Sequence, residues 1–363
     1  MPHLRSTRSP LDALIVGGGP AGALTAHLLA QQGRRVLLAE ARAHVERKVC
    51  GEYLCPRGVE LLEDLGLHHL ARGRPLVGMR AVTPRGRVLT PSFPPRGDRP
   101  SRGVALNRQV FERGLLARAA ESGGTVLMGR RLRALERTAR GWEVRVDHAG
   151  GSELHHAALL IGADGRRSAV ARALGLSRRV ECERVALHGH FHRPERNGAF
   201  GEMHLLAGGA YVGVDPTGDH EVNVSLVCSA GRLRALGGAR ATFEHYLASA
   251  SDYHARYGPW PRDAAVRAVS PLTHRVSAAV IPGAALVGDA AGFVDPLTGE
   301  GIYYALWAAR ALAEALASVR DWRPAEVNAA LRRYAEARRG VVEPKWRLHR
   351  GLKWLLERPR LLE

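Results

Sequence analysis

The chain has 363 residues, enough for about two domains around a sizeable core, and its 45% hydrophobic and 24% charged content exclude a disordered or low-complexity polypeptide. A net charge of +18 invites a nucleic-acid reading, but the arginines are scattered along the whole length and only three lysines occur (Lys48, Lys345, Lys353). No basic block alternates with aromatics, so a strand-tracking groove is excluded and no nucleic-acid partner is expected. The charge reads instead as a cationic surface suited to an anionic dinucleotide or anionic lipid.

Elements follow in chain order. An apolar run from Leu11 to Val16 predicts a strand, and Pro20 to Gln32 a helix. A second strand, Arg35 to Ala39, ends on Glu40. Between strand and helix stands Gly17-Gly18-Gly19-Pro20-Ala21-Gly22-Ala23, a G-x-G-x-x-G turn with an acid roughly 20 residues further on. Gly17 allows the tight turn, Gly19 a close backbone approach to a pyrophosphate, and Gly22 close helix–strand packing. The helix start at Pro20 and Ala21 offers the free N–H groups of the residues after the proline and a positive dipole end to phosphate. Glu40, followed by Ala41, is placed to accept a ribose hydroxyl. Together these predict a dinucleotide-binding βαβ unit.

Further along, Arg57 to Leu65 reads as a helix and Val77 to Thr90 as a hairpin turning at Pro84-Arg85-Gly86. Pro91 to Pro100 reads as loop. Asn107 to Ser122 is helical, with Val110, Leu115, Leu116 and Ala119 on one side. Strands are expected at Thr125 to Met128, Arg133 to Arg137, Trp142 to Asp147 and Ala157 to Ile161. From about Val180 to Ser229 the pattern becomes alternating β, notably Ala210 to Val214 and Glu221 to Val227. Arg232 to Tyr257 is helical, Ala284 to Val287 a strand, Gly299 to about Leu316 a long helix, and two more basic helices close the chain. The string Gly208 to Gly213 has no helix after it and reads as hairpin rather than a second cofactor turn.

Two later segments put an Asp at the carboxyl end of an apolar strand, where α/β sheets bind ligands. They are Leu159 to Ser168, containing Gly162-Ala163-Asp164-Gly165, and Ala285 to Gly292, containing Gly288-Asp289, which runs on through Pro296-Leu297-Thr298-Gly299-Glu300-Gly301-Ile302. With the opening fingerprint, this order resembles the flavoprotein superfamily of the para-hydroxybenzoate hydroxylase-like fold, from about Asp12 to Leu316. The resemblance implies FAD rather than NAD. It places Asp289 on the ribityl chain, Glu40 on the adenosine ribose, Arg108 against the cofactor, and Asp164 in the region that holds FAD and shapes a pyridine-nucleotide approach. Independently, backbone N–H groups of Pro296 to Ile302 at a helix start suit the charge that reduction places on the flavin pyrimidine edge.

Thr298 to Ala305 (T-G-E-G-I-Y-Y-A) is similar to a string of the geranylgeranyl reductase family, and Lys48 to Pro56 to the K-x-C-G segment those reductases place beside the flavin. Gly292 stands where aromatic hydroxylases commonly carry His. One departure is Tyr211-Val212-Gly213-Val214-Asp215-Pro216, where the reductases have Y-x-W-x-F-P over the substrate. Gly213 removes apolar wall and Asp215 adds a charge, which argues against a long prenyl tail. No W-x-W-x-I-P of a halogenase occurs.

The expected fold class is α/β: a Rossmann-like FAD-binding domain (1–75, 101–178 and 276–320) with an inserted β-rich substrate domain (76–100 and 179–275) and a C-terminal helical segment (321–363). The expected function is FAD-dependent reduction of a C=C bond in a lipophilic isoprenoid- or polyketide-like molecule, with NAD(P)H or another external electron donor. Oxygenation using NAD(P)H and oxygen is the alternative, and a non-catalytic flavin-binding protein the second. Cys50 and Tyr53 are candidate proton donors, tuned by Glu52 and Lys48; Tyr211, Gly213, Asp215 and Pro216 are candidate substrate contacts. His188, His190 and His192 share a strand face but, without a carboxylate or Cys in register, read as a half-buried polar face rather than a metal site. Cys50, Cys55, Cys182 and Cys228 form no C-x-x-C pair and follow no secretory signal, so free thiols and a cytoplasmic protein of secondary metabolism are expected. The stripe Leu348, Leu352, Leu355 and Leu356, interspersed with Arg347, Arg350, Lys353 and Arg358, is expected to pack on the body, with peripheral membrane contact as the alternative.

Overall fold

The computed structural model describes residues 5–6, 10–180, 183–193, 195, 198–356 and 358. Two sheets organise them. The first has nine strands, and its parallel centre sets Leu11–Val16 between Val36–Glu40 and the long strand Gly151–Gly162. Thr125–Met128 extends it beyond Val36–Glu40, and Ala284–Leu286 lies beside the far end of Gly151–Gly162. These strands are apolar on both faces because both are covered. Ala13, Ile15 and Leu38 pack with the helices Pro20–Gln31 and Gly301–Leu316. Their neighbours Leu14, Val16 and Leu37 pack on the other side with Trp142, Val144 and Val146.

The second sheet has seven strands, in the order Arg267–Val269, Arg184–His192, Glu221–Ser229, Tyr211–Asp215, Phe200–Leu205, Gly78–Val82, Val88–Leu89. All pairings are antiparallel except Phe200–Leu205 with Gly78–Val82. One face packs on the helix Ala239–Ser249 through Phe243, Tyr246 and Leu247. The other looks back toward the first sheet.

Three expectations change. Val110 is 51% exposed, and the buried side of the helix Arg108–Glu121 is Phe111, Leu115, Leu116 and Ala119 instead. The helical stretch near Arg232 is broken into Ala230–Ala235, Ala239–Ser249 and Ser251–Tyr257, the first break falling where Gly237 and Gly238 turn to positive φ. The chain closes on one 33-residue helix, Pro324–Leu356, not two, with Pro344 inside it. Burial at both ends carries it across the proline, which costs a helix a hydrogen bond. Val327, Ala330, Leu331 and Tyr334 join the core of the first sheet, and Leu356 packs with Tyr211 and Val227 of the second. Of the leucine stripe, Leu356 packs on the body, Leu352 and Leu355 are half-buried, and Leu348 is exposed. No helix among the described residues is long and apolar enough to cross a membrane. Cys50, Cys55 and Cys228 are free; Cys182 lies outside the described residues.

Two buried histidines give the fold a pH dependence. Burial, aided by neighbouring charge, pushes His188 down to about 3 and His349 to about 4. In the unfolded chain both bind a proton below about pH 6.5, so stability is complete above that value and lost as pH falls toward 4. Each contributes at most about 1.4 kcal/mol per pH unit in that window. The urea midpoint is expected to fall between about pH 7 and about pH 5, and less steeply in His349→Gln. A midpoint flat across this range contradicts it.

Candidate functional site

A cavity of about 1860 Å³ runs between the carboxyl edge of the first sheet and the inner face of the second. Ordinary ligand pockets hold roughly 300–1,000 Å³, so this one has room for two ligands end to end.

Its cofactor half is backbone-built. Gly17 has φ +108, and a Cβ there would meet the Ala163 oxygen at 2.5 Å. A Cβ on Gly22 would lie 1.9 Å from the Gly17 oxygen, which is why glycine must underlie the turn. Gly19 is the opposite case: a Cβ meets nothing within 4 Å, because that position faces the cavity. The helix Pro20–Gln31 has no side-chain cap and no acid in its first turn, so its first N–H groups are left for a ligand. The helix Gly301–Leu316 likewise starts uncapped at Glu300, and Gly301 is open to the same cavity. Two helix N-termini thus aim at one space, the donor set that a diphosphate and an electron-rich ring edge require. Glu40 accepts from Gly18 N–H at 2.7 Å through Oε2 and from Arg42 N–H at 3.0 Å through Oε1, and it lines the cavity beside Ala41. Asp289 lines it at the other end. Burial pushes its carboxyl up, offset by Arg166 and Arg108. These residues fit FAD.

Asp164 has a structural role as well. Its carboxylate accepts from Ser168 Oγ at 2.5 Å and from Ala169 and Val170 N–H at 2.6 and 3.1 Å, capping the short helix Ala169–Ala173. Glu300 forms an ion pair with Lys345, tying the Gly299-Glu300-Gly301 turn to the closing helix. Gly292 has φ +121, and a Cβ would reach Trp346 of that helix at 3.0 Å, so the His of the hydroxylases has no space here.

Between cofactor cleft and roof lies the Lys48 to Pro56 segment. Lys48 Nζ and Arg108 Nε both donate to the Glu112 carboxylate at 2.7 Å, one to each oxygen. Burial raises the Glu112 carboxyl, but Arg108 and Lys48 outweigh it and hold it below the usual range. Arg108 hydrogen-bonds Cys50, and Arg166 faces it as well. Glu52 is fully buried at φ +56, a conformation that costs a non-glycine residue about 1 kcal/mol or more. Its Oε1 accepts from Arg108 N–H at 3.2 Å, and its Oε2 lies 2.6 Å from His190 Nε2 and 3.8 Å from Arg47. The strand-face histidines thus do meet a carboxylate, brought from 138 residues away, and the pairing corrects the expectation that none is near. Tyr53 pairs on the first side with Ala105, stacks near Phe93, and is pushed far up by burial.

The roof is the strand Tyr211–Asp215. Alternation turns Tyr211, Gly213 and Asp215 toward the cavity, while Pro216, just past the strand end, does not line it. Gly213 leaves a notch in which a Cβ would still be 3.9 Å from the nearest atom. Tyr211 OH donates to Asp295 at 2.5 Å, and Arg184 pairs with the same carboxylate at 3.1 Å. This joins roof to the Pro296 turn, since Asp295 also accepts from Leu297 N–H. Tyr211→Phe is expected to destabilise the fold by about 2 kcal/mol, the range for a hydrogen bond to a charged group, seen as a lower melting temperature. An unchanged melting temperature counts against the link.

Asp215 is buried, and burial together with Glu52 and Glu202 pushes its carboxyl well above the carboxylate range. Burial therefore disfavours the charge that the sequence led one to expect at this position. Of the other sequence-predicted positions, Gly22 lies beneath the cavity and Gly288 lines a smaller adjoining pocket; the remaining ones line the cavity itself. Sequence reasoning missed Glu112, His190 as partner of the Glu52 carboxylate, and Asn223, whose side-chain Nδ2 donates to Cys50 O at 2.7 Å. Glu112 was legible in principle, four residues after Arg108 on a helix. The other two meet the Cys50 loop only through the sheet.

A cleft of this build belongs to the FAD-binding α/β oxidoreductases. The FAD binding domain family model matches residues 10–347, and the chain belongs to that family as an FAD-dependent oxidoreductase. Among its relatives, the menaquinone reductase of Mycobacterium tuberculosis (strain H37Rv) is 32% identical, with 85% of this chain and 76% of the relative covered. The menaquinone reductase of Mycolicibacterium smegmatis is 29% identical over 97% of this chain and 86% of its own length. The digeranylgeranylglycerophospholipid reductase of Methanoculleus marisnigri is 29% identical, over 84% and 75%. In structure the chain is similar to PqsL of P. aeruginosa (TM-score 0.80, 24% identity, 97% and 98% covered). It is also similar to the flavin-dependent halogenase CmlS (TM-score 0.81, 23% identity), covering 92% of this chain and 62% of that one. These two likenesses show the fold.

Proposed function

We propose that the chain reduces C=C bonds of a lipophilic isoprenoid-like molecule, with FAD held by Gly17, Gly19, Pro20, Ala21, Glu40, Ala41, Arg108, Asp289, Pro296, Gly299, Glu300, Gly301 and Ile302. Bound FAD supplies the hydride chemistry, after reduction by NAD(P)H or another donor. The observation that carries the reading is the single cavity joining two uncapped helix starts to a roof made of Tyr211, Gly213 and Asp215, whose carboxyl burial pushes up. The reductase names of the relatives support it, and the digeranylgeranyl lipid in one of them makes a prenyl chain the substrate class to test first. With burial disfavouring the Asp215 charge and Gly213 leaving a notch, the roof suits an apolar chain, where the sequence argued against one. The chain's own residues hold the cofactor edge, exclude water through Tyr53, Phe93 and Met79, and set the Cys50 loop against the roof.

The test is anaerobic. FAD-loaded protein, bleached chemically under argon, is mixed with menaquinone or a digeranylgeranyl glycerophospholipid, and the oxidised spectrum is followed. Recovery of colour with the lipid and not with buffer is expected. Recovery only on admitting oxygen favours the oxygenase reading, and no response to either favours a non-catalytic flavin protein.

A further inference from the structure

Three carboxyl groups crowd one end of the cavity, and only two of them have partners. Glu52 faces His190 and Arg47, as described. Glu202, on the neighbouring strand Phe200–Leu205, lies 3.1 Å from His204 Nε2 and 2.8 Å from Arg256, and accepts from Tyr257 OH at 2.7 Å. Asp215 feels the charge of both and, among the described residues, has a hydrogen bond to neither oxygen; its Oδ1 is fully enclosed without a partner. A Cβ built on Gly201 would stand 3.0 Å from Oδ1, and one on Gly51 3.7 Å from Oδ2. The carboxyl is thus wedged beneath the Gly51-Glu52-Tyr53 turn, and the residue lines the cavity. Asn223, directly across the strand pair, points its amide to Cys50 O instead.

A buried polar group with no partner carries a desolvation cost that a fold ordinarily removes. Of three neighbouring carboxyls, the one without a compensating donor is the one that takes the proton. We infer that Asp215 is the proton donor of the reduction, a catalytic residue rather than a wall contact. This rests on the reductase reading above. As hydride from the reduced cofactor adds to one alkene carbon, the Asp215 O–H bond breaks and a C–H bond forms at the adjacent carbon. The O–H electron pair stays on the carboxylate. The two electrons come from the reduced cofactor and the proton from Asp215, so the alkene gains two hydrogens and the charge balances. The carboxylate left behind faces Glu52 and Glu202, whose repulsion returns a proton to it from water in the cavity; Tyr53 is the remaining titratable group facing it.

Two readouts test this. Infrared difference spectra of wild type against Asp215→Asn, taken on the protein without substrate at neutral pH, are expected to show a protonated carboxyl C=O band that the variant lacks. In single turnover, Asp215→Asn is expected to take up FAD as wild type does but to reduce menaquinone or the digeranylgeranyl lipid roughly 10²–10⁴-fold more slowly, the usual contribution of a positioned acid, with KM little changed. Asp215→Glu, which keeps the acid, is expected to recover part of that rate. No band lost in the variant, or lipid reduction at the wild-type rate, overturns the assignment. A wild-type protein that reduces neither lipid overturns the reductase reading itself, which keeps the two failures apart.

Discussion

Gly22→Ala is expected to leave the purified protein colourless. The added Cβ would stand 1.9 Å from the Gly17 oxygen, a backbone atom with no freedom to withdraw. The turn must therefore open, and the free N–H groups of Ala21 and Gly22 lose their aim. Overpacking of this kind costs about 1–3 kcal/mol in the fold. The same distortion is expected to weaken FAD by roughly a hundredfold, about 2.7 kcal/mol. Gly19→Ala separates the two effects. Its Cβ meets no protein atom within 4 Å, so the apoprotein should melt as wild type does while FAD affinity falls, because the methyl occupies cavity that the diphosphate needs. Titration of apoprotein with FAD, alongside thermal melts of both variants, measures this. Full FAD affinity in Gly22→Ala would refute the assigned cradle.

The second large effect is expected at Glu112. Its carboxylate is 1% exposed and is shared by Lys48 and Arg108, each about a fifth exposed. Glu112→Ala leaves two cations facing each other in the cavity wall and removes the anchor of the Cys50 loop. Breaking a buried pair costs about 3–5 kcal/mol, and the residual exposure of both cations sets the expectation at the lower end, about 3 kcal/mol. Because the Glu112 carboxyl titrates below its unfolded value, its contribution is complete above the ordinary carboxylate pKa and disappears as pH falls through the lower folded one. Acid unfolding should accordingly move to higher pH in Glu112→Gln, read by circular dichroism. An acid limb that coincides with wild type contradicts the pairing.

Most of the architecture could be read from residue order, because its signals are local. The Gly17 to Gly22 turn, the two-sided apolar strands and Asp289 after Ala284–Leu286 each announce themselves within a few residues. What stayed hidden depends on contacts far apart in the chain. His190 meets Glu52 across 138 residues, and the upward push on the Asp215 carboxyl arises from burial beside Glu52 and Glu202, which no spacing rule encodes. The single closing helix was hidden by Pro344, a local breaker overruled by packing at Tyr334 and Leu356. Lys48 stood out as an isolated lysine, and the structure gives its role as counter-ion to Glu112.

The most direct measurement is the mass of the lipid after one anaerobic turnover with chemically reduced, FAD-loaded protein. A gain of two hydrogens, both of them deuterium when the protein is reduced and reacted in heavy water because the N–H of reduced flavin exchanges with solvent, is the predicted product. A gain of oxygen once air is admitted, with no change under argon, would contradict the account.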